Sequence, residues 1–404
     1  MSKQNKIQRE FERKFQNVSE FRGDFQSEIQ STCQNSRREF IKNSAKVASI
    51  IMLANALPLM AKSQANKSTN KGANMFPQRQ IGQLKLSALG LGCMGMSHGH
   101  GPARDIKAMT RLIREAYDLG VTYFDTAEIY GPHTNEELVG AALKPLRDKV
   151  FIGTKFGLYY PFGKQMQDSS KKAIFRAVDA SLKRLQSDYI DIYTQHRVDT
   201  DTPIEEVADT MRELVKMGKI RAWGLSEAGE KTIRRAHKEF PLTSVQSQYS
   251  ISFREHEDDG VIKACKELGI GFVAYSPLDR GLLTGVMNEN FKFHPTLDMR
   301  KSFPRYTPEA LKANQAIVNF VRDIGKSKNA TITQTALAWL LAQGDFIMPI
   351  PETTNPKHLR ENLGAINVKF TPDELKAIDE AVRKIVIVGD RFAPNSDAAK
   401  SVGL

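Results

Sequence analysis

The sequence predicts an α/β protein: a (β/α)8 TIM barrel preceded by a disordered leader and an export signal. Three observations carry this. From Gln80 onward, short β-rich runs alternate with amphipathic helical stretches. Several of those helices stop just before a glycine (Gly120, Gly218, Gly269), the signature of a left-handed helix terminus. Eight strands separated by helices, over roughly 270 residues, match one closed parallel barrel. An open doubly wound sheet is the alternative, but it calls for G-x-G-x-x-G after the first strand. The run Gly90-Leu91-Gly92-Cys93-Met94-Gly95 places its third glycine at the wrong offset.

The strands expected are 86–92, 123–126, 150–155, 190–195, 222–226, 244–248, 271–275 and 346–350. Apolar residues at helical spacing predict helices over 105–119, 135–146, 171–185, 204–217, 231–237, 258–268 and 331–341. No short-period repeat is visible.

The 404 residues are 41 % apolar and 26 % charged, an ordinary globular composition that can bury a sizeable core. The net charge of +12 is unevenly placed. With 13 Lys/Arg against 6 Asp/Glu, residues 1–75 carry +7, leaving +5 for the rest. No basic stripe with interleaved aromatics occurs, so nucleic-acid binding is not expected. The three cysteines, Cys33, Cys93 and Cys265, show neither metal-ligand spacing nor a disulfide framework, and no metal site is expected. Cys265 reads as small apolar filler.

Residues 1–75 are set apart from the barrel, which takes 76–404. Residues 1–35 are polar and rich in Gln, Glu, Lys and Phe, reading as disordered or weakly helical. An apolar run over 47–61 follows Arg37-Arg38 and is interrupted by Asn55 and Pro58. It is shorter than the ~20 residues of a membrane span. The segment Ala61 to Asn66, with small residues suited to peptidase cleavage, comes next, and charged, apolar, small is the layout of an export signal. Arg37-Arg38 with Phe40-Ile41-Lys42 resembles the bacterial twin-arginine signal, although the stretch before Arg37 is unusually long. That resemblance implies the twin-arginine export machinery as a partner and the periplasm as destination, with the cytoplasm as the alternative. The linker 67–74 is polar and expected to be flexible.

In a parallel barrel the active site lies at the C-terminal ends of the strands. The second strand ends Phe124-Asp125-Thr126, the third Gly153-Thr154-Lys155 and the fourth Thr194-Gln195-His196. Burying an isolated Asp or Lys is costly, so a mutually compensating cluster at one rim is the economical reading.

The residues at this rim resemble the aldo-keto reductases from Gln80 to about Ala381. Leu89 to Met96 resembles the family's first strand and loop. Phe124-Asp125-Thr126-Ala127-Glu128-Ile129-Tyr130-Gly131 resembles its Asp–Tyr motif, and Asn135 to Gly140 the segment after it. Tyr275 to Gly285 resembles its pyrophosphate loop, and Ile350-Pro351-Glu352-Thr353-Thr354 with His358, Glu361 and Asn362 its adenosine-phosphate site. The resemblance implies reduction of aldehyde or ketone carbonyls by hydride transfer from NADP(H), with NAD(H) as the alternative, on a small-molecule carbonyl substrate. The catalytic set it implies is Asp125, Tyr130, Lys155 and His196. Tyr130 is the expected general acid: hydride transfer leaves alkoxide character on oxygen, and a neighbouring ammonium, Lys155, is expected to lower the phenol's pKa of about 10. Asp125 is expected to hold Lys155, and His196 to orient the carbonyl oxygen.

For the cofactor the resemblance implies Gly92, Cys93, Met94, Asp125, Ser226, Gln248, Tyr275, Ser276, Leu278, Arg280, Gly281, Thr353, Thr354, His358, Glu361 and Asn362. Tyr275 would stack on the nicotinamide, and Ser226 and Gln248 would bind its carboxamide. Two positions depart from the family's habit. Glu227 stands where Asn is common, so that role is not carried over. Glu352 stands where Lys or Gly is common, and a carboxylate there would repel a 2′-phosphate, with Lys357, His358 and Arg360 compensating. A different class of function, a cofactor-sensing binding module like the family's potassium-channel subunits, fits poorly with an export signal. Export also implies that the chain folds around its cofactor first and retains it. The aromatic-rich segment 279–308 is the expected lid, and the tail after Ala381 is a second candidate cover. The oligomeric state and the individual substrate are not legible in the sequence.

Overall fold

The chain enters the fold through an antiparallel hairpin, β1 (Gln78–Ile81) and β2 (Leu84–Ser87), turned at Gly82 with φ +56°. The structure is a computed structural model describing residues 76–160 and 164–404. The expected leader, twin-arginine pair, apolar run and linker all lie outside the described residues, and so does Cys33.

Eight parallel strands follow: β3 (Leu91–Gly92), β4 (Tyr123–Asp125), β5 (Phe151–Phe156), β8 (Ile190–Gln195), β9 (Ile220–Ser226), β10 (Ser244–Gln248), β11 (Gly271–Tyr275) and β12 (Ile347–Pro349). A small hairpin, β6 (Leu158–Tyr159) and β7 (Met166–Gln167), projects beyond the end of β5. The circle closes where Gly90 N donates to Pro349 O at 3.0 Å and Gly92 N to Pro351 O at 3.3 Å. This is the barrel the alternation predicts, not the open sheet.

All eight barrel strands fall inside or against the expected segments, with one correction. The segment 86–92 is not one strand. Its first half belongs to the hairpin, and only Leu91–Gly92 enters the barrel. Apolar continuity hid the break, because both halves are buried for different reasons. Ile81 and Leu86 plug the N-terminal end of the barrel against Tyr123, Ile192, Val273 and Met348. The fit is tight: a Cβ on Gly271 would stand 2.4 Å from Ile81 Cγ2.

The seven expected helices are present, with altered ends. Residues 135–146 form Thr134–Leu143 and then a 3-10 turn containing Pro145, which cannot continue the helix hydrogen bonding. The stretch 258–268 becomes helical only at Val261, after Gly260 at φ +90°. Gly120, Gly218 and Gly269 take φ of +102°, +73° and +68°, as their stop role requires. Five further α-helices lie outside the expected segments: Pro308–Ala313, Gln315–Ser327, Pro356–Leu363, Pro372–Val382 and the short Asp397–Lys400. Pro372–Val382 carries a reciprocal Thr371–Glu374 capping box that the sequence displays openly.

Beyond Val382 the tail crosses the C-terminal face of the barrel. Asn314 clamps Val388 with two hydrogen bonds, Nδ2 to its carbonyl and Oδ1 from its amide. Gly229 N donates to Leu404 O at 2.8 Å. Phe392, Ser396, Asp397 and Ala398 line the cavity, so the tail covers the site as expected. In the segment 279–308, Phe303 faces the cavity, while Phe291, Phe293 and Tyr306 pack against one another.

Candidate active site

A cavity of about 700 Å³ opens at the C-terminal ends of the strands. Asp125 ends β4, Lys155 sits near the end of β5 and His196 follows β8, so three neighbouring strands deliver them to one place. Lys155 is 1 % exposed and Asp125 4 %. Lys155 Nζ donates to Asp125 Oδ1 at 2.5 Å, to Thr126 O at 2.8 Å and to Tyr130 Oη at 3.4 Å. The other Asp125 oxygen accepts from Gln246 Nε2 at 2.8 Å and from the Tyr123 hydroxyl at 3.3 Å. The buried charge pair is thus hydrogen-bonded at both ends, the condition under which such a pair is tolerated. His196 presents its ring edge-on to Tyr130, with centroids 5.9 Å apart, and its Nδ1 is buried without a partner.

The electrostatics differ from the sequence expectation in one respect. Burial dominates at Tyr130 and pushes its phenol above 10; Lys155 pulls it back without reversing the direction. Burial alone would push the Lys155 ammonium down, but Asp125 and Tyr130 hold it above its ordinary value. His196 is held well below 6.5 by burial and by the charges of Arg197 and Lys155, so it is neutral. The arrangement keeps a protonated phenol, a charged ammonium and a neutral imidazole together.

The loops are tied from behind. Asn135 Nδ2 donates to Cys93 O at 2.9 Å and to Ser97 Oγ at 2.7 Å, and its Oδ1 accepts from Thr126. Glu136 accepts from Thr154 Oγ1 and pairs with Arg184 at 2.6 Å. Between Asp125 and Tyr130, Glu128 accepts from Gly157 N at 3.0 Å, yet burial pushes its carboxyl up to about 7. Below pH 4.5 both folded and unfolded chains hold that proton. As pH rises towards 7 the unfolded chain ionises first, and stability is lost by roughly 2–4 kcal/mol. Urea midpoints compared at pH 5 and pH 8 should show this loss in the native protein, and a smaller one in Glu128→Gln.

Of the residues expected at the cofactor, Gly92, Met94, Asp125, Ser226, Tyr275, Ser276, Leu278, Arg280 and Gly281 line the cavity. Two do not. The Cys93 side chain is fully buried behind the first loop and its thiol is pushed up by burial. Gln248 is fully buried outside the lining, both amide atoms unpartnered, whereas Gln246 lines the cavity. Both glutamines fall on the same side of an alternating strand, and sequence alone does not say which reaches the cavity level. The turn after β11 is strained: Ser276, Asp279 and Arg280 take φ of +47°, +45° and +50°, and Gly281 +105°. Such outliers collect where a loop is shaped for a ligand.

Thr353, Thr354, His358, Glu361 and Asn362 lie outside the cavity lining, around the start of Pro356–Leu363 and along that helix. Its N-terminus, capped by Asn355, suits a phosphate. Glu352 is not directed there. It takes the Gly95 amide at 3.0 Å and His100 Nδ1 at 2.7 Å, and it lines the cavity. Of the three compensating groups, Arg360 is paired with Glu115, and Lys357 and His358 are exposed. Glu227 sits at φ +58°, accepting from the Gln248 backbone N–H at 3.0 Å and paired with Arg391 of the tail at 2.7 Å. Burial opposes its charge, but Arg391 and Arg197 hold it at about 2.

The lining fits a nicotinamide. Tyr275 offers a phenol whose hydroxyl is buried without a partner, Ser226 a hydroxyl and Gln246 an amide, while a Cβ on Gly92 would come within 3.0 Å of Ile350 O. Sequence reasoning passed over Gln246, His98, His100 and Arg197, all in the lining. Alternation along β10 was the available signal for Gln246; nothing local marked the others.

Residues 88–383 match the Aldo/keto reductase family. "Probable aldo-keto reductase 1" of Glycine max is 42 % identical over 325 residues, covering 78 % of this chain and 93 % of its own. Among solved structures, the glycerol dehydrogenase AKR11B4 from Gluconobacter oxydans superposes with a TM-score of 0.70 at 27 % identity, over 79 % of this chain and 98 % of that one. An aldo/keto reductase from Klebsiella pneumoniae, solved with NADP and acetate, gives 0.60 at 26 % identity, over 78 % and 98 %.

Proposed function

The chain belongs to the aldo/keto reductase family of NAD(P)H-dependent oxidoreductases, and on that premise we propose that it reduces aldehyde or ketone carbonyls to alcohols with Tyr130 as the proton donor. The observation that carries the reading is the chain of contacts Asp125–Lys155–Tyr130 beside a neutral His196. A bound nicotinamide supplies the hydride. Tyr130, kept protonated by burial, gives its proton to the carbonyl oxygen as negative charge develops there. Lys155 stabilises the phenolate left behind, and Asp125 keeps Lys155 charged and pointed at Tyr130. His196, neutral, offers a hydrogen bond that orients the carbonyl.

The residues that would hold the cofactor are Ser226, Gln246 and Tyr275 at the ring and Ser276 to Gly281 at the pyrophosphate. The Asn355-capped helix terminus is the phosphate site beyond them. NADP(H) is the favoured cofactor: the Glu352 carboxylate is spent on Gly95 and His100, which weakens the case for its repelling a 2′-phosphate. The test is oxidation of NADPH and of NADH at 340 nm with a panel of aldehydes, ketones and sugars. Turnover with NADPH at lower KM is expected; no turnover of any carbonyl with either cofactor would reject the reading.

The leader supports a second element of the proposal. With Arg37-Arg38 before an apolar run, the chain is exported to the periplasm by the twin-arginine route already folded around its cofactor. Replacing both arginines by lysine should leave the protein in the cytoplasm of a bacterial host. An unchanged distribution between fractions would count against export by this route.

A further inference from the structure

Most enclosed arginines among the described residues are matched to carboxylates. Arg147 holds Asp191 at 2.7 Å, Arg184 holds Glu136 at 2.6 Å, Arg300 holds Asp298 at 2.6 Å and Arg391 holds Glu227 at 2.7 Å. Arg197 has no such partner; neither have Arg79, which donates to backbone carbonyls, and Arg280, which lies over Phe303 and Phe392. Arg197 is half-buried and lines the cavity beside His196 and Tyr130. Its recorded acceptors are neutral: Nη1 donates to His196 O at 2.7 Å and to Ser226 Oγ at 3.4 Å. Among the described residues it forms no ion pair within 4.0 Å. A guanidinium carries five donors; Glu227 feels the charge of Arg197 but is paired directly with Arg391, so the remaining donors are available to an anion.

In the mechanism above this charge only helps to keep His196 neutral and touches no substrate, and the cofactor's phosphates are not its natural partner. The strained turn expected at the pyrophosphate follows β11, three strands round the barrel from β8, and brings its own cation, Arg280, against Phe303 and Phe392. Arg197 shares the cavity lining with Leu158, Tyr160 and Gln165, from the segment beyond β5. There its charge pulls against the rise that burial gives the Tyr160 phenol.

We infer that Arg197 determines substrate choice: a short carbonyl compound bearing a carboxylate seats that group on the guanidinium while its carbonyl meets Tyr130 and His196. This rests on the reductase reading given above. The planar fork suits a carboxylate, which it can hold through two parallel hydrogen bonds. Asp397, on the tail helix Asp397–Lys400, lines the outer mouth of the same cavity and is exposed. It does not neutralise Arg197, and it disfavours a negative group placed further out, so the carboxylate must stand close to the carbonyl.

The experiment compares 4-oxobutanoate with butanal, on the full-length protein with NADPH. The native protein should favour 4-oxobutanoate in kcat/KM by about tenfold or more, chiefly through KM. In Arg197→Met that preference ratio should fall by a similar factor, and Arg197→Lys should keep part of it. Because both substrates are read on the same sample, partial misfolding cancels from the ratio. A native ratio near one, or a ratio unchanged in Arg197→Met, overturns the inference while turnover of butanal leaves the reductase reading standing. Titration calorimetry of butanoate against butanamide supplies a readout without turnover. Preferential binding of butanoate that is lost in Arg197→Met supports the inference even if no carbonyl is reduced; equal binding of the two, or none, overturns it.

Discussion

Tyr130→Phe is expected to lower kcat for carbonyl reduction by about 100- to 10,000-fold, the range that a positioned general acid contributes. The substitution removes one oxygen at a site where Lys155 Nζ stands 3.4 Å away and 5.0 Å from the ring centre, so the ring and its neighbours have no reason to move. Binding of NADPH, followed by quenching of protein fluorescence, should therefore stay within about threefold of native. Full turnover by the variant would remove Tyr130 from its role. The pH dependence gives a second check. Since burial holds the phenol above 10, the acid is protonated across the neutral range. Reduction should be flat there, whereas oxidation of an alcohol, which needs the phenolate, should rise towards alkaline pH.

Lys155→Met is expected to be damaging in two separable ways. The ammonium is buried, and it is the cation that answers Asp125 Oδ1 at 2.5 Å. Removing it leaves a buried carboxylate uncompensated, which typically costs about 3–5 kcal/mol of stability. It also removes the charge that stabilises phenolate, so reduction should fall by at least about 100-fold. The double variant Asp125→Asn with Lys155→Met separates the two. Its neutral amide can keep a bond to Gln246 or Tyr123, so most of the stability should return in urea denaturation while activity does not. Recovery of activity together with stability would show the pair to be a structural feature and not part of the chemistry.

Much of this site is legible in the sequence. Asp125, Lys155 and His196 could be placed together because strand ends in a parallel barrel share a rim, which is a property of the period and order of elements. Tyr130 could not be reached that way, since it stands on the loop beyond β4, and only resemblance to a family supplied it. Glu352 shows the opposite case. Its charge was plain in the sequence, but its direction, towards His100 and the Gly95 amide, is set by a loop 250 residues earlier in the chain. The Gln248 expectation failed against the lining for a related reason: the face of a strand is written in its alternation, but the depth along the barrel axis is not.

The sequence by itself determined the alternating order of strands and helices, the helix stops at glycine, the charged rim residues and the separation of a basic leader. These follow from local backbone preference and from hydrophobic period, which act over a few residues at a time. The tertiary structure alone decided the closure of the barrel by Gly90 and Gly92, the plug formed by Ile81 and Leu86, the net upward direction of Tyr130 and the unpaired state of Arg197. Each of those depends on which groups come within a few ångströms after the chain has folded. Desolvation and charge pairing are fixed by that proximity and not by spacing along the chain.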